Sequence, residues 1–210
     1  MCIRDSLYWV ILPLNKKIEA YAVASALSID FGQGNAARGK DLIQAEFLDF
    51  PDGDSIPNNP DLPVMLVREA LPEHSAAAIC QHFENCGWTG TWTYVVFDYH
   101  HYHHDAHEAL CVASGWADIV LGGPIVGQSV RLEAGDLVVL PAGTGHCLAD
   151  SSGDFSICGC YPPGQSHYTI VRAREGALAR HGSAIAAVPL PHTDPVFGAE
   201  GPLLTGWGIR

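Results

Sequence analysis

Between residues 91 and 172 the chain is cut into short apolar segments by glycine and proline at nearly regular intervals. The segments are 91–103, 107–114, 116–121, 128–132, 136–140, 155–161 and 168–172, with turn residues such as Gly115, Gly122, Gly123, Gly135, Pro141, Gly145 and Pro162 between them. Strands at this spacing, with no helical segment among them, can bury their apolar faces only as a sandwich or a closed barrel. With 22 Gly and 14 Pro against 11 Lys and Arg, the composition also favours many tight turns over a helical bundle. At 210 residues the chain suits one domain. Upstream, 63–69 alternates as a strand, and Asp52–Gly53 and the Pro57, Asn58, Asn59, Pro60 run are turn chemistry. The helix signal lies over 75–86: Ser75 can cap it, Ile79, Phe83 and Cys86 share a face, and Gly87 stops it.

Five of the eleven histidines fall between residues 100 and 107. On a strand, residues i and i+2 point to the same face, so His101 and His103 can reach one point. Glu108 follows after four residues, enough for the chain to bend and bring a carboxylate there. Further on, Gly135, Pro141, Gly143 and His146 describe a strand, a rigid turn and one more histidine. Alternation places His100 and His104 on the opposite face, with His104 read as solvent-facing, while His107 is either an alternate ligand or a partner behind the ligands. The remaining histidines, His74, His82, His167, His181 and His192, read as ordinary core or surface residues.

These two stretches resemble the cupin motifs HxH(x)₄E(x)₆G and G(x)₅PxG(x)₂H, matching at every stated position with 19 residues between Gly115 and Gly135. Two flanking positions depart: Val95 stands where the first motif usually opens with Gly, and Asp150 where the second usually ends with Asn. Neither is a ligand position. Segments 56–63, 97–103, 141–146 and 194–198 extend the likeness to the small bacterial YjlB-like single-domain cupins, over roughly residues 46 to 207. The resemblance implies an all-β double-stranded β-helix, the cupin jelly-roll barrel, with a short helix before it. It implies a cupin domain over 42–188 and a C-terminal tail, 189–210, packing on the barrel.

It also implies one divalent transition metal on His101, His103, Glu108 and His146. Three imidazoles and a carboxylate suit Fe, Mn, Zn, Ni, Co or Cu and leave positions for a ligand. By strand parity Phe97, Tyr99, Leu110 and Leu148 line the barrel near the metal, and Tyr99 is the candidate hydrogen-bond donor to a metal-bound ligand. Arg131 and Arg172 are the available cations for a substrate carboxylate. The implied activity is that of a metal-dependent enzyme on a small organic molecule, with dioxygenase-type oxidoreduction favoured over isomerase or decarboxylase chemistry. The alternatives are a non-catalytic metal or ligand binder and a structural partner subunit. A cytoplasmic homodimer is the expected setting.

Other readings fall away. A formal charge of −12 disfavours nucleic acid and anionic membranes. The eight-residue apolar run at 7–14 is too short to span a bilayer, and Lys16 and Lys17 follow it, the wrong order for an export signal. Residues Met1 to Asp5 resemble a translated sequencing-adapter tail, and 1–41 is expected to be a non-native or disordered extension. Within it, Gly34 to Asp41 mimics a phosphate-binding loop but lacks the final Ser or Thr. His107–Glu108 is not followed by His at Cys111, so the zinc-protease HExxH is absent, and no GxSxG elbow exists. The seven cysteines form no CxxC pair; they read as small buried hydrophobes, with Cys147, next to a ligand, the one candidate oxidation site.

Overall fold

In the computed structural model, the described residues are 25–28 (backbone only), 44–71 and 73–209. The phosphate-loop mimic, the 7–14 run and most of the 1–41 extension lie outside them. Among the described residues, twelve strands form two antiparallel sheets. The first has seven: β1 (Ser25–Ser28), β2 (Gln44–Leu48), β3 (Val64–Val67), β9 (Leu137–Leu140), β6 (Glu108–Ser114), β11 (Ser156–Tyr161) and β4 (Thr89–Tyr94), in that order. The second has β12 (Ile170–Arg172), β5 (His101–His103), β10 (His146–Ser151), β7 (Trp116–Leu121) and β8 (Gln128–Glu133).

Strand periodicity of two divides β3, β9, β6 and β11 of the larger sheet between two cores. Val64, Leu66, Leu110, Val112, Val138, Leu140 and Ile157 meet Ala117, Ile119, Leu121 and Leu132 of the smaller sheet. Their neighbours Met65, Val67, Ala109, Cys111, Leu137, Val139 and Cys158 point to the outer face, where Ile79, Phe83, Leu203 and Trp207 cover them. The larger sheet is therefore wet on neither face over these strands. The smaller sheet is solvated outside along β7 and β8, and β8 alternates buried and exposed accordingly.

The helix expected over 75–86 is α1 (Ala76–Asn85), with the Ser75 hydroxyl accepting from the Ala78 N–H and Gly87 at φ +85° closing it. Two further helices had no sequence signal: α2 (Ala177–Ala186), which starts from Gly176 without a side-chain cap, and α3 (Pro202–Gly206) in the tail. The tail is part of the outer core, for Leu203, Leu204 and Trp207 are buried and the Trp207 indole donates to the Pro63 carbonyl.

The segment 91–103 is not one strand. It divides into β4 on the edge of the larger sheet and β5 in the smaller one, and the crossing is pinned by the Leu148 N–H donating to the Phe97 carbonyl at 2.9 Å. His104 is likewise not solvent-facing. Parity puts it on the far side of β5, but α2 covers that side, and the His104 and His181 rings lie 4.5 Å apart. No helix among the described residues is long and apolar enough to cross a membrane.

Candidate metal centre

The turn at 141–145 carries the chain from β9 in one sheet to β10 in the other, and thereby delivers His146 into the barrel. It is clamped from several directions. Asn58, buried at φ +52°, donates to the Pro51 and Gly122 carbonyls and accepts from the Gly145 N–H. Asn59 donates to the Ala142 carbonyl, and the Gly143 N–H donates to the His103 carbonyl. The asparagines read above only as turn formers are thus the lock on this turn. His107 is another part of that lock. Its Nδ1 accepts from the Ala142 N–H at 2.9 Å, its backbone N–H donates to Gln165, and its ring packs 4.8 Å from Trp207. It is a structural residue, facing away from the ligands, and burial lowers its pKa to about 4.

His146 of β10 stands opposite His101 of β5 in the sheet register, their rings 4.0 Å apart. With His103, two residues along β5, they bring three imidazole nitrogens within 4.8 Å of one another. Each ring is held by its other nitrogen. Nδ1 of His101, His103 and His146 lies 3.0, 3.0 and 3.3 Å from the carbonyls of Tyr99, Thr169 and Thr144. A carbonyl only accepts, so each Nδ1 carries the proton and each Nε2 lone pair is left facing the centre.

Glu108, at the first position of β6, flanks the cluster. Its Oε2 lies 3.4 Å from Nε2 of both His103 and His146. Its Oε1 accepts a 2.6 Å hydrogen bond from the Tyr161 hydroxyl, which in turn accepts from the Trp92 indole N–H at 2.8 Å. Burial opposes ionisation of Glu108, but His103, His146 and Tyr161 outweigh it and hold the carboxyl at about 2. His103 shows the reverse balance: burial lowers its pKa, and the Glu108 charge raises it above the usual value. Burial pushes His101 and His146 down, His146 well below the usual range with the neighbouring His101 adding to the effect.

Oε2 of Glu108 is buried and has no hydrogen-bond partner. An ionised oxygen left so is expensive unless a cation meets it. Three imidazoles converging beside it, neutral once an ion displaces the proton that Glu108 favours on His103, are the donor set that a divalent transition ion takes. The residues fit the metal.

The four-residue set sits in the wall of a cavity of about 230 Å³, which Trp92, Phe97, Leu110, Tyr161 and Tyr168 also line, and which reaches the surface beside Tyr94 and Ile170. Phe97 and Leu110 are where parity put them, and Leu148 packs on the same inner core without reaching the cavity; Tyr99 is not where parity put it. The Tyr99 ring stacks on Phe97 at 5.0 Å, outside the cavity, with the Arg172 guanidinium 3.6 Å over it. Its contribution is the backbone carbonyl that orients His101. The hydroxyl at the centre belongs to Tyr161, which sequence reasoning missed. Parity along β11 carried the signal, since Tyr161 alternates with the inward Ile157 through Gly159.

Neither arginine lines the cavity. Arg172 lies on Tyr99, and Arg131 pairs with Asp118 in a two-bond contact on the exposed face of β7 and β8. Cys147 is nearly buried, and burial raises its pKa, which disfavours the thiolate that oxidation needs.

The two sheets and this centre define a β-barrel protein with a three-histidine site. A cupin family model matches residues 64–199, and the chain belongs to the cupin family. It is 37% identical over 160 residues to YjlB, an uncharacterised protein of Bacillus subtilis (strain 168), covering 75% of this chain and 93% of that one. Among solved structures, a mutant of Bacillus subtilis oxalate decarboxylase OxdC aligns with 62% of this chain and 28% of its own at 17% identity, TM-score 0.31. Acireductone dioxygenase from Bacillus anthracis, with a cadmium ion in its active centre, aligns with 48% and 61% at 18% identity, TM-score 0.30.

Proposed function

We propose that this chain is a metal-dependent enzyme acting on a small organic molecule, with one divalent transition ion held by His101, His103, His146 and Glu108. The observation that carries the reading is the buried, partnerless Glu108 Oε2 beside three oriented imidazoles in the wall of a cavity open to the surface. When bound, the ion supplies Lewis acidity, or electron exchange if it is Fe, Mn or Cu.

The chain's own residues do the rest. The Tyr99, Thr169 and Thr144 carbonyls fix the imidazole tautomers, and Tyr161 fixes the carboxylate. Dioxygenase-type oxidoreduction is the favoured chemistry, by likeness to the family alone. A site sealed by side chains would favour a storage or sensing role; the opening beside Tyr94 and Ile170 supports the enzyme instead.

Elemental analysis of the purified chain, without added metal, is the test. Close to one equivalent of a first-row transition ion is expected, and oxygen uptake by the iron-loaded protein over a panel of small organic compounds then checks the reaction class. No metal after reconstitution refutes the reading. A homodimer formed through strand edges is the proposed assembly, and a monomeric mass in solution refutes it.

A further inference from the structure

We propose that the cavity selects a small, uncharged, single-ring compound with one oxygen donor, and that it discriminates against small dicarboxylates. The role of the oxygen donor rests on the metal centre proposed above; the preference for an uncharged ring rests on the cavity wall alone.

Size comes first. A cavity of about 150 Å³ lined by aliphatic and aromatic side chains holds benzene. The cavity here, about 230 Å³, has room for one ring and a short substituent. Its wall away from the ligands is aromatic and aliphatic, formed by Trp92, Val96, Phe97, Leu110, Tyr168 and Ile170 among others. Planar rings pack well against such faces, and the wall gains little from polar surface.

Charge excludes the alternative. No Lys or Arg lines the cavity, and Glu108 is the one charged side chain in its wall. A divalent ion with one carboxylate and three neutral imidazoles leaves a net charge of +1. A monodentate neutral or singly ionised oxygen suits that charge, whereas a dianion leaves an uncompensated negative charge against apolar walls. The arginines that could have relieved it are engaged elsewhere, Arg172 on Tyr99 and Arg131 with Asp118. Hydrogen-bond donors are also short. The Trp92 N–H is given to Tyr161 and the Tyr161 hydroxyl to Glu108, which leaves the Tyr94 and Tyr168 hydroxyls as the remaining side-chain donors outside the ligand set.

The test is calorimetric titration of phenol and of malonate into the zinc-loaded and the metal-free wild-type protein, with protein–ligand NOEs to locate the ring. Phenol should bind both forms at about millimolar affinity or better, more tightly with zinc, and show NOEs to Trp92 and Ile170. Malonate should bind the zinc form at least about tenfold more weakly than phenol. Ile170→Arg places a cation at the mouth, on a side chain 42% exposed, where folding is not at stake. It should raise malonate affinity about tenfold or more.

Malonate binding to the wild type as tightly as phenol, or phenol bound only away from Trp92 and Ile170, overturns the inference. Failure to load zinc would refute the metal centre, while phenol binding to the metal-free protein would still decide the selectivity of the wall.

Discussion

Tyr161→Phe removes one oxygen atom and tests the whole construction of the centre. That oxygen donates to Glu108 Oε1 at 2.6 Å and accepts from the Trp92 indole at 2.8 Å, with Tyr161 and Glu108 both buried. Its loss strands a carboxylate oxygen and an indole N–H together. A hydrogen bond to a charged group contributes about 1.5–3 kcal/mol, so the metal-free variant should lose about 2–3 kcal/mol of stability. Two effects then compete at the metal. Without its donor the carboxylate becomes more basic, which favours a cation; it also loses the contact that aims Oε2 at the His103 and His146 nitrogens. Orientation should win, because removing partners of this kind costs about 10–100-fold in metal affinity, equivalent to about 1.4–2.7 kcal/mol. The assay is competition for zinc against a chromophoric chelator at fixed pH, beside a urea titration of the metal-free form. Trp92→Phe is the control: it removes the indole donor but leaves the bond to Glu108, and should shift zinc affinity by less than about threefold. A Tyr161→Phe protein that folds and binds zinc as tightly as wild type would show that Glu108 is not an oriented ligand.

His101→Ala and His146→Ala should each abolish stoichiometric metal binding while His104→Ala leaves it intact, as read by elemental analysis; equal losses in all three would remove the ligand assignment. His107 should make the metal-free protein acid-sensitive. Its pKa is lowered to about 4, so between pH 6.5 and 4 the unfolded chain binds a proton that the folded one does not. Stability is full above pH 6.5 and falls by about 3 kcal/mol on the way to pH 4, with His101 and His146 acting in the same direction. Urea midpoints independent of pH across that window would refute it. Trp207→Ala empties a site in the outer core and should cost about 3–5 kcal/mol, against near-neutrality if the tail were an ornament. Asn58→Ala removes three hydrogen bonds and leaves alanine at φ +52°, so a loss of about 3–5 kcal/mol in the urea titration, with weakened zinc binding through His146, is expected.

What the sequence disclosed, and what it hid, follows from how each residue is constrained. β6, β9 and β11 were legible as near-continuous apolar runs because both of their faces are buried, one against the smaller sheet and one under α1 and the tail. β10 was not, since after Leu148 its residues turn outward, and Asp150 and Ser151 break any apolar pattern. The division of 91–103 left no mark because no Gly or Pro makes it; a tertiary hydrogen bond from Leu148 does. α2 begins at a left-handed glycine with no capping side chain, so the usual start signal was missing.

The centre shows the same division between local and distant constraint. His101 and His103 could be placed because two residues on one short strand share a face whatever the rest of the chain does, and His146 because a rigid turn fixes where it emerges. Tyr161 meets Glu108 across 53 residues of sequence, through the pairing of β11 with β6, and no local pattern encodes that pairing. Parity along β11 could have narrowed the choice. It puts Tyr161 on the inward face with Ile157, and Gly159 between them is where the Trp92 indole lies against the strand, so any larger residue there would collide with the ring that donates to Tyr161. Parity failed at Tyr99 for a related reason: the chain leaves the β5 ladder before His101, and alternation ceases to hold where the ladder ends. Inward-facing positions can therefore be counted outward from a ligand only as far as the strand runs, and the residues that orient a ligand from another strand become visible only once the sheet is assembled.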